Sequence, residues 1–204
     1  MIAIVDYGMG NLGSVKKAFD FLGAKSKVTD KASVILSAEK IVFPGVGGFR
    51  DAMEELDKRQ ITEVLKKEIA NKKPFLGLCL GVQLLFEESE EAPGVKGLAV
   101  FKGNATKFQA SRGFKVPQIG WNELNITAQG KKCPFLKGIE NGTFVYFVHS
   151  YYVEPEDKKI TAATSDYKKK FTACVWKDNV FACQFHPEKS QKAGLKILEN
   201  FCNL

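Results

Sequence analysis

The chain has 204 residues, of which 45% are hydrophobic and 26% are charged, and its formal net charge is +7. These values are ordinary for a globular protein, and the length predicts one domain spanning residues 1–204, whose core needs no metal or disulfide. The sequence shows neither an apolar run long enough to span a bilayer nor the features of a signal peptide, which predicts a cytoplasmic protein without a membrane segment.

Lysines and cysteines are both spread along the chain. The densest basic run, residues 168–170, is not interleaved with aromatic residues, so we expect a solvated surface and no nucleic-acid partner. A basic patch for a phosphorylated substrate or an acidic partner stays open. The five cysteines have no C-x-x-C spacing and only two histidines accompany them, so we expect neither a disulfide framework nor a metal site.

Strands and helices alternate over the first ninety residues. Short apolar runs predict strands at residues 2–5, 25–29, 40–43 and 75–78. Residues with a helical period predict helices ending near Leu22, over 50–58 and 60–72, and through Leu84, Leu85 and Phe86. This alternation predicts an α/β fold around a largely parallel central sheet flanked by helices.

The second half of the chain lacks this alternation of strands and helices. It predicts a series of short strands followed by one C-terminal helix over residues 190–202. These strands lie near residues 98–101, 104–108, 144–148, 160–164, 171–176 and 179–185. No linker separates the halves, which supports a single domain.

The most informative segment is Gly77-Leu78-Cys79-Leu80-Gly81. It has the G-x-nucleophile-x-G form, between a predicted strand and a predicted helix, that a nucleophile elbow requires. The helix N-terminus favours the cysteine thiolate, and the backbone N–H of Leu80 points towards a developing oxyanion. A core cysteine in a glycine-flanked turn gives the same pattern, so the catalytic interpretation needs a base.

A base is available in Phe185-His186-Pro187-Glu188. Residues i and i+2 of an extended segment project to the same side, and Pro187 disfavours helix at His186. The Glu188 carboxylate is thus placed to orient the imidazole, leaving its other nitrogen to deprotonate the Cys79 thiol. The rival base is His149, which has no carboxylate at i+2 and lies in a strand that looks buried. We expect a structural or substrate-lining role for it.

Two glycine-rich loops follow predicted strands. In Pro44-Gly45-Val46-Gly47-Gly48, the glycines free the backbone to aim N–H groups of Val46 and Gly47 at an oxyanion, although an ordinary flexible turn has the same composition. Gly8-Met9-Gly10-Asn11-Leu12-Gly13 matches the G-x-G-x-x-G of dinucleotide-binding proteins. That function would leave Cys79 and His186 without roles, so we expect no cofactor.

These segments together resemble the class I glutamine amidotransferases, and more narrowly the glutaminase subunits of imidazole glycerol phosphate synthase from histidine biosynthesis. The resemblance covers nearly the whole chain and is carried by residues 6–11, 44–47, 77–83, 120–122, 147–151 and 185–190. It implies a flavodoxin-like fold and a Cys79-His186-Glu188 triad that hydrolyses glutamine to glutamate and ammonia through a thioester. It also implies Gln83, Ser150 and Tyr151 as contacts for glutamine.

The same resemblance implies a partner, a (β/α)₈-barrel cyclase subunit that forms a heterodimer with this chain. The barrel receives ammonia through a protected channel and forms imidazole glycerol phosphate and an aminoimidazole carboxamide ribotide. A barrel of about 250 residues does not fit in this chain, so the partner acts in trans. Residues implied at the interface are Asn11, Trp121, Tyr146 and Lys189.

Two positions depart from the family pattern. Gln118 stands where the family usually carries histidine, and residues 101–103 lack an expected proline. These departures leave open a glutaminase that serves another acceptor, such as a sugar amidotransferase or a pyridoxal phosphate synthase. A thiol peptidase or γ-glutamyl hydrolase, and a binding module without activity, are the alternatives from other functional classes.

Overall fold

A computed structural model describes residues 1–111 and 113–204, and these contain twelve strands and six α-helices. The strands are Ile2–Val5 (β1), Ser26–Thr29 (β2), Lys40–Gly45 (β3), Phe75–Cys79 (β4), Glu88–Ser89 (β5), Gly103–Lys107 (β6), Gln118–Ile126 (β7), Thr143–His149 (β8), Tyr151–Pro155 (β9), Thr161–Tyr167 (β10), Lys169–Lys177 (β11) and Val180–Cys183 (β12).

The helices follow the strands of the first half, with one more at the end of the chain. They are Leu12–Phe21 (α1), Ala32–Ser37 (α2), Phe49–Lys58 (α3), Thr62–Ala70 (α4), Leu80–Leu84 (α5) and Gln191–Cys202 (α6). Short 3₁₀ turns occupy Gly130–Lys132, Pro134–Leu136, Lys158–Ile160 and Pro187–Lys189. None of the helices in the described residues combines the length and the apolar character that crossing a membrane requires.

The strands form one mixed sheet in the order β2-β1-β3-β4-β12-β11-β10-β7-β8, and β5, β6 and β9 join it at the side. The first five strands of this order are parallel, which the βα alternation predicted for β1 to β4 but not for β12, and the others continue the sheet antiparallel. Because the carboxyl ends of parallel strands meet at one edge, the residues that follow β3, β4 and β12 come together there.

Helices cover both faces of the sheet. Alternate residues of β1 belong to different cores: Ile2 and Ile4 pack in a cluster with α1 and α6, and Ala3 and Val5 pack in a cluster with α2, α3 and α4. A parallel strand covered on both faces is apolar throughout, which explains the uninterrupted apolar runs of β1, β3 and β4. The expected α/β architecture is thereby confirmed.

The strand expected at residues 98–101 is wrong. Leu98 donates its backbone N–H to Leu84 O (2.8 Å), and Val100 donates to Leu85 O (2.9 Å). Ala99 has a φ of 53°, which breaks an extended strand. This apolar segment therefore packs over the end of α5 and is not a strand of the sheet.

The same contact corrects the helix expected through Leu85 and Phe86. The helix α5 ends at Leu84, because the carbonyl groups that follow it bond to residues 97–101 instead of to a further helical turn. The pattern also missed α2, β5, β7 and β9. In strand β7 the exposed Ile119, Trp121 and Glu123 alternate with less exposed residues.

Candidate active site

Cys79 lies at the tight turn between β4 and α5. Its φ of 54° and ψ of −109° are strained for a residue with a side chain, and it is the N-cap residue of α5. A Cβ atom at Gly81 would lie 2.1 Å from the carbonyl oxygen of Phe43, so only glycine allows α5 to approach β3 this closely. The predicted strand-to-helix turn is present.

His186 is held between a carboxylate and the neighbouring strand. Its Nδ1 lies 2.8 Å from Glu188 Oε1, and the two side chains are only 4% and 1% exposed. The backbone N–H of His186 donates to Tyr146 O in β8 (2.9 Å), and the Ser190 hydroxyl donates to His186 O (2.7 Å). Since the carboxylate accepts from Nδ1, the other ring nitrogen, Nε2, is left for chemistry.

The electrostatics of His186 favour its protonated form. Burial disfavours the imidazolium, but Cys79 and the Glu188 carboxylate outweigh this and hold the pKa of His186 well above its usual range. His186 Nε2 is buried and has no hydrogen-bond partner among the described residues. The imidazole is therefore oriented and able to carry a proton next to the thiol.

Cys79 and His186 line the same cavity, whose volume is about 280 Å³. The structure brings every predicted oxyanion and glutamine-contact residue to this cavity, while Glu188 lies behind the His186 ring. The lining residues are Val46, Gly47, Cys79, Leu80, Gln83, Glu91, Pro117, Val148, His149, Ser150, Tyr151 and His186.

The loop after β3 is shaped by two glycines. A Cβ at Gly45 would lie 2.3 Å from the Tyr7 hydroxyl, and one at Gly47 would lie 2.4 Å from Met9 Cε. Gly47 also has a φ of 96°. The close packing against the Tyr7–Met9 segment places the Val46–Gly47 backbone at the cavity, which Leu80 also lines. The N–H of Leu80 lies in the first turn of α5 and has no acceptor within the helix.

Gln184 was missed by the sequence reasoning. It is fully buried and its Nε2 lies 3.7 Å from Cys79 Sγ, while its Oε1 accepts from Gln83 Nε2 (3.1 Å). Gln83 Nε2 also donates to Tyr151 O (3.2 Å). Because both hydrogens of the Gln83 amide are engaged, the group it offers to a ligand is its oxygen. A glutamine two residues before His186 is the signal that was available.

Glu91 also lines the cavity without having been predicted. Its Oε2 accepts from the backbone N–H of Phe49 at the start of α3 (2.9 Å), which ties the carboxylate to the residue after the Gly47–Gly48 loop. An acidic cluster at residues 87–91 reads as solvated surface, and only the turn after β5 brings Glu91 to the cavity. The sequence pattern alone did not contain this information.

His149 is buried among aromatic rings and bonded to the backbone. Its Nδ1 lies 2.7 Å from Tyr151 O, and the rings of Phe108, Phe147 and Phe171 have centroids within 5.5 Å of its own. Burial is the main cause that lowers the pKa of His149 to about 4, and the nearby His186 lowers it further. His149 is thus a neutral lining residue, in the position the sequence predicted for it.

The residues implied at an interface lie mostly on one surface. Trp121 faces Tyr146 across β7 and β8 with ring centroids 5.9 Å apart, and Lys189 Nζ lies 5.9 Å from the centre of the Tyr146 ring. Asn11 caps α1, which packs against the Pro187–Lys189 turn. We call the outward-facing apolar residues of β7 and β8 the outer patch; they are Ile119, Trp121, Phe144 and Tyr146.

His149 predicts a specific dependence of stability on pH. Its pKa is about 4 in the folded chain and about 6.5 when unfolded, so the unfolded state binds the proton first and folding stability falls as the pH drops from about 6.5 to about 4. Urea unfolding at pH 6.5 and 4.5 should show that His149→Gln removes on the order of 2–3 kcal/mol of this loss. Equal losses in the wild type and the variant would contradict a neutral, buried His149.

Comparison with known proteins agrees with this geometry. A family model described as glutamine amidotransferase class-I matches residues 3–204. The chain is 51% identical to the imidazole glycerol phosphate synthase subunit HisH of Caldanaerobacter subterraneus, over 98% of this chain and 97% of the relative. It is 48% identical to the subunit of the same name from Methanocaldococcus jannaschii, over 100% of both chains.

Solved structures extend the similarity of the fold beyond the similarity of sequence. A crystal structure described as a glutamine amidotransferase superposes with a TM-score of 0.76 at 16% identity, over 100% of both chains. At this identity the likeness concerns the fold alone. Taken with the family model that spans the cavity residues, it shows that the chain belongs to the class I glutamine amidotransferases, enzymes that hydrolyse glutamine.

Proposed function

We propose that residues 1–204 act as one glutaminase domain that releases ammonia from glutamine through a thioester on Cys79 and passes it to a synthase subunit. The observation that carries the proposal is convergence on one cavity. A cysteine at a strained turn, an imidazole backed by a carboxylate, and two backbone segments able to donate to an oxyanion all reach it. These are the parts that covalent acyl transfer requires.

In the first half-reaction His186 Nε2 takes the thiol proton of Cys79, the sulfur attacks the side-chain amide carbon of glutamine, and the carbonyl oxygen becomes negatively charged. The N–H groups of Leu80 and of the Val46–Gly47 loop stabilise that charge. His186 then gives a proton to the amide nitrogen, the C–N bond breaks, and ammonia leaves a γ-glutamyl thioester. Glu188 stabilises the imidazolium before this transfer, in the role that a triad carboxylate has.

In the second half-reaction water replaces ammonia at the same carbon. His186 takes one proton from the water, the oxygen attacks the thioester, and the C–S bond breaks to give glutamate and the free thiol. The net reaction consumes glutamine and water and yields glutamate and ammonia. Gln184, at 3.7 Å from the sulfur, is a positioning residue for Cys79 in both steps.

Recognition of glutamine is assigned to groups at the cavity wall. The oxygen of Gln83 accepts from an N–H of the substrate, because the amide hydrogens of Gln83 are already bonded. Glu91 supplies the carboxylate that complements the α-ammonium group. Ser150 and Tyr151 complete the wall where β8 passes into β9.

For the partner we propose the (β/α)₈-barrel cyclase subunit of imidazole glycerol phosphate synthase, in a heterodimer of the cytoplasm. The support is the name shared by relatives about half identical over their full length. The outer patch supports it independently: Ile119, Phe144 and Trp121 are 63%, 54% and 43% exposed, and a contiguous apolar surface of this kind is typical of a protein interface. Five free cysteines fit a reducing compartment.

An alternative exists for the synthase that accepts the ammonia. Gln118 stands at a position where the resemblance leads us to expect histidine, and this favours examining a sugar amidotransferase or a pyridoxal phosphate synthase as the alternative. Purification of the tagged chain from its native cells and identification of the bound synthase separates these acceptors. Hydrolysis of peptides by the chain alone would instead support a thiol peptidase.

The two histidines predict different losses of glutaminase activity. In the complex with the synthase, His186→Ala should lower kcat by about 10³-fold or more, because it removes the only proposed proton-transfer group. His149→Gln should lower it far less, since His149 is neutral and bonded to Tyr151 O. Glutamate formation by each variant is the measurement. Equal losses would contradict the assignment of His186 as the base.

The outer patch predicts which substitutions weaken assembly. Trp121→Ala should raise the Kd for the cyclase subunit by about 30-fold or more, as expected for an exposed aromatic that becomes buried at the centre of an interface. Phe21→Ala is the matched control, because Phe21 is 78% exposed but lies at the far end of α1. Titration calorimetry with the purified subunit measures both. A larger effect of Phe21 than of Trp121 would place the interface elsewhere.

A further inference from the structure

Two buried hydrogen-bond acceptors lie on the same face of the sheet, where β7 begins and β8 ends. Gln118 and His149 are register partners in the antiparallel pair, so their side chains lie on the same face of the sheet. They are 1% and 6% exposed. Neither Gln118 Oε1 nor His149 Nε2 has a hydrogen-bond partner within the described residues. Buried polar atoms are normally paired, so this pair points to a ligand.

The orientation of the Gln118 amide is dictated by its neighbours. Asn122 Nδ2 donates to the backbone carbonyl of Asp166 at 2.8 Å, which leaves Asn122 Oδ1 facing Gln118. Gln118 Nε2 donates to that oxygen, also at 2.8 Å. A rotated amide would bring two oxygens together, so Gln118 must present its oxygen as an acceptor on the free side.

The tautomer of His149 is dictated in the same way. Its Nδ1 bonds to the Tyr151 carbonyl, which only accepts, so the proton is on Nδ1 and Nε2 presents a lone pair. The ring is neutral because it is buried among aromatic side chains. Gln118 Oε1 and His149 Nε2 are thus two buried acceptors to which no donor of the described residues bonds.

The matching ligand is small and carries at least two hydrogens to donate. His149 lines the Cys79 cavity, and so does Pro117, the residue before Gln118. The reaction proposed above releases such a molecule into this cavity. Resting on that proposed function, we propose that Gln118 Oε1 and His149 Nε2 hold the ammonia released at Cys79 before it reaches the synthase.

The chemistry of the pair suits this task. Ammonia reacts as a nucleophile only while it is unprotonated, and neither an amide oxygen nor a bare imidazole nitrogen can give it a proton. The pair borders the Cys79 cavity through His149 and Pro117. The outer patch lies on the opposite face of the same two strands, since Ile119 projects away from Gln118.

The test is the amount of imidazole glycerol phosphate formed per glutamate by the complete complex. Gln118→Met keeps the length of the side chain but removes the acceptor, and it should lower this ratio by about threefold or more, as expected for one lost hydrogen bond. Gln118→His restores a ring nitrogen as an acceptor and should keep the ratio near that of the wild type. Asn122→Ala, which frees the Gln118 amide to rotate, should also lower the ratio.

Added ammonium chloride is the control for the synthase. It should give equal product formation with every variant, because this ammonia bypasses the Cys79 cavity. An unchanged ratio in Gln118→Met and Asn122→Ala would overturn the proposal and leave an ordinary bridging water as the occupant. A raised KM for glutamine with an unchanged ratio would overturn it by placing the pair in the glutamine site. A wild-type complex that forms no glutamate would reject the glutaminase function itself, which is a distinct result.

Discussion

The backbone of Cys79 is held at a φ of 54° and a ψ of −109°, a positive-φ conformation that residues with a side chain rarely adopt. Such a conformation costs on the order of 1–3 kcal/mol, so the surrounding packing has to maintain it. Gly81 lies against the carbonyl of Phe43, and Gly77 lies against Gly81 and Ala182, which locks α5 between β3 and β12. This crowded crossing places the sulfur at the carboxyl edge of the parallel strands, where the other site residues arrive.

The second element of the site depends on the same edge. β12 runs beside β4, and the chain leaves it through His186 into the Pro187–Lys189 turn. The backbone N–H of His186 donates to Tyr146 O. The backbone N–H of Tyr146 donates in turn to the Ser190 hydroxyl, which fixes the position of β8 against this turn. Strand β8, which carries part of the outer patch, therefore also holds His186. A partner that binds β8 touches the element on which the position of His186 depends.

Much of this site was predictable from local patterns, because its key residues are close together in sequence. The elbow needs five consecutive residues, and the His186–Glu188 pair needs three, so short motifs contain their geometry. The βα alternation likewise predicted the parallel strands. The interaction of Gln184 with Cys79, more than a hundred residues away, depends on the pairing of β4 with β12, and no local pattern expresses it.

Other errors have equally physical causes. Residues 98–101 are apolar enough for a strand, but Ala99 turns the chain and the segment bonds to the end of α5. Glu91 lies in an acidic run that is typical of solvated surface, and only the fold brings it to the cavity. The orphaned acceptors of Gln118 and His149 depend on register between two strands, one of which the pattern missed.

We propose that the Cys79 sulfur forms a covalent bond to the side-chain amide carbon (Cδ) of glutamine. Rapid acid quenching of the complex during turnover with isotope-labelled glutamine, followed by peptide mass spectrometry, tests it directly. We expect a γ-glutamyl thioester on the peptide that contains Cys79 and none on peptides that contain the other four cysteines. Continued formation of glutamate by a Cys79→Ala variant, or an adduct on another cysteine, would contradict it.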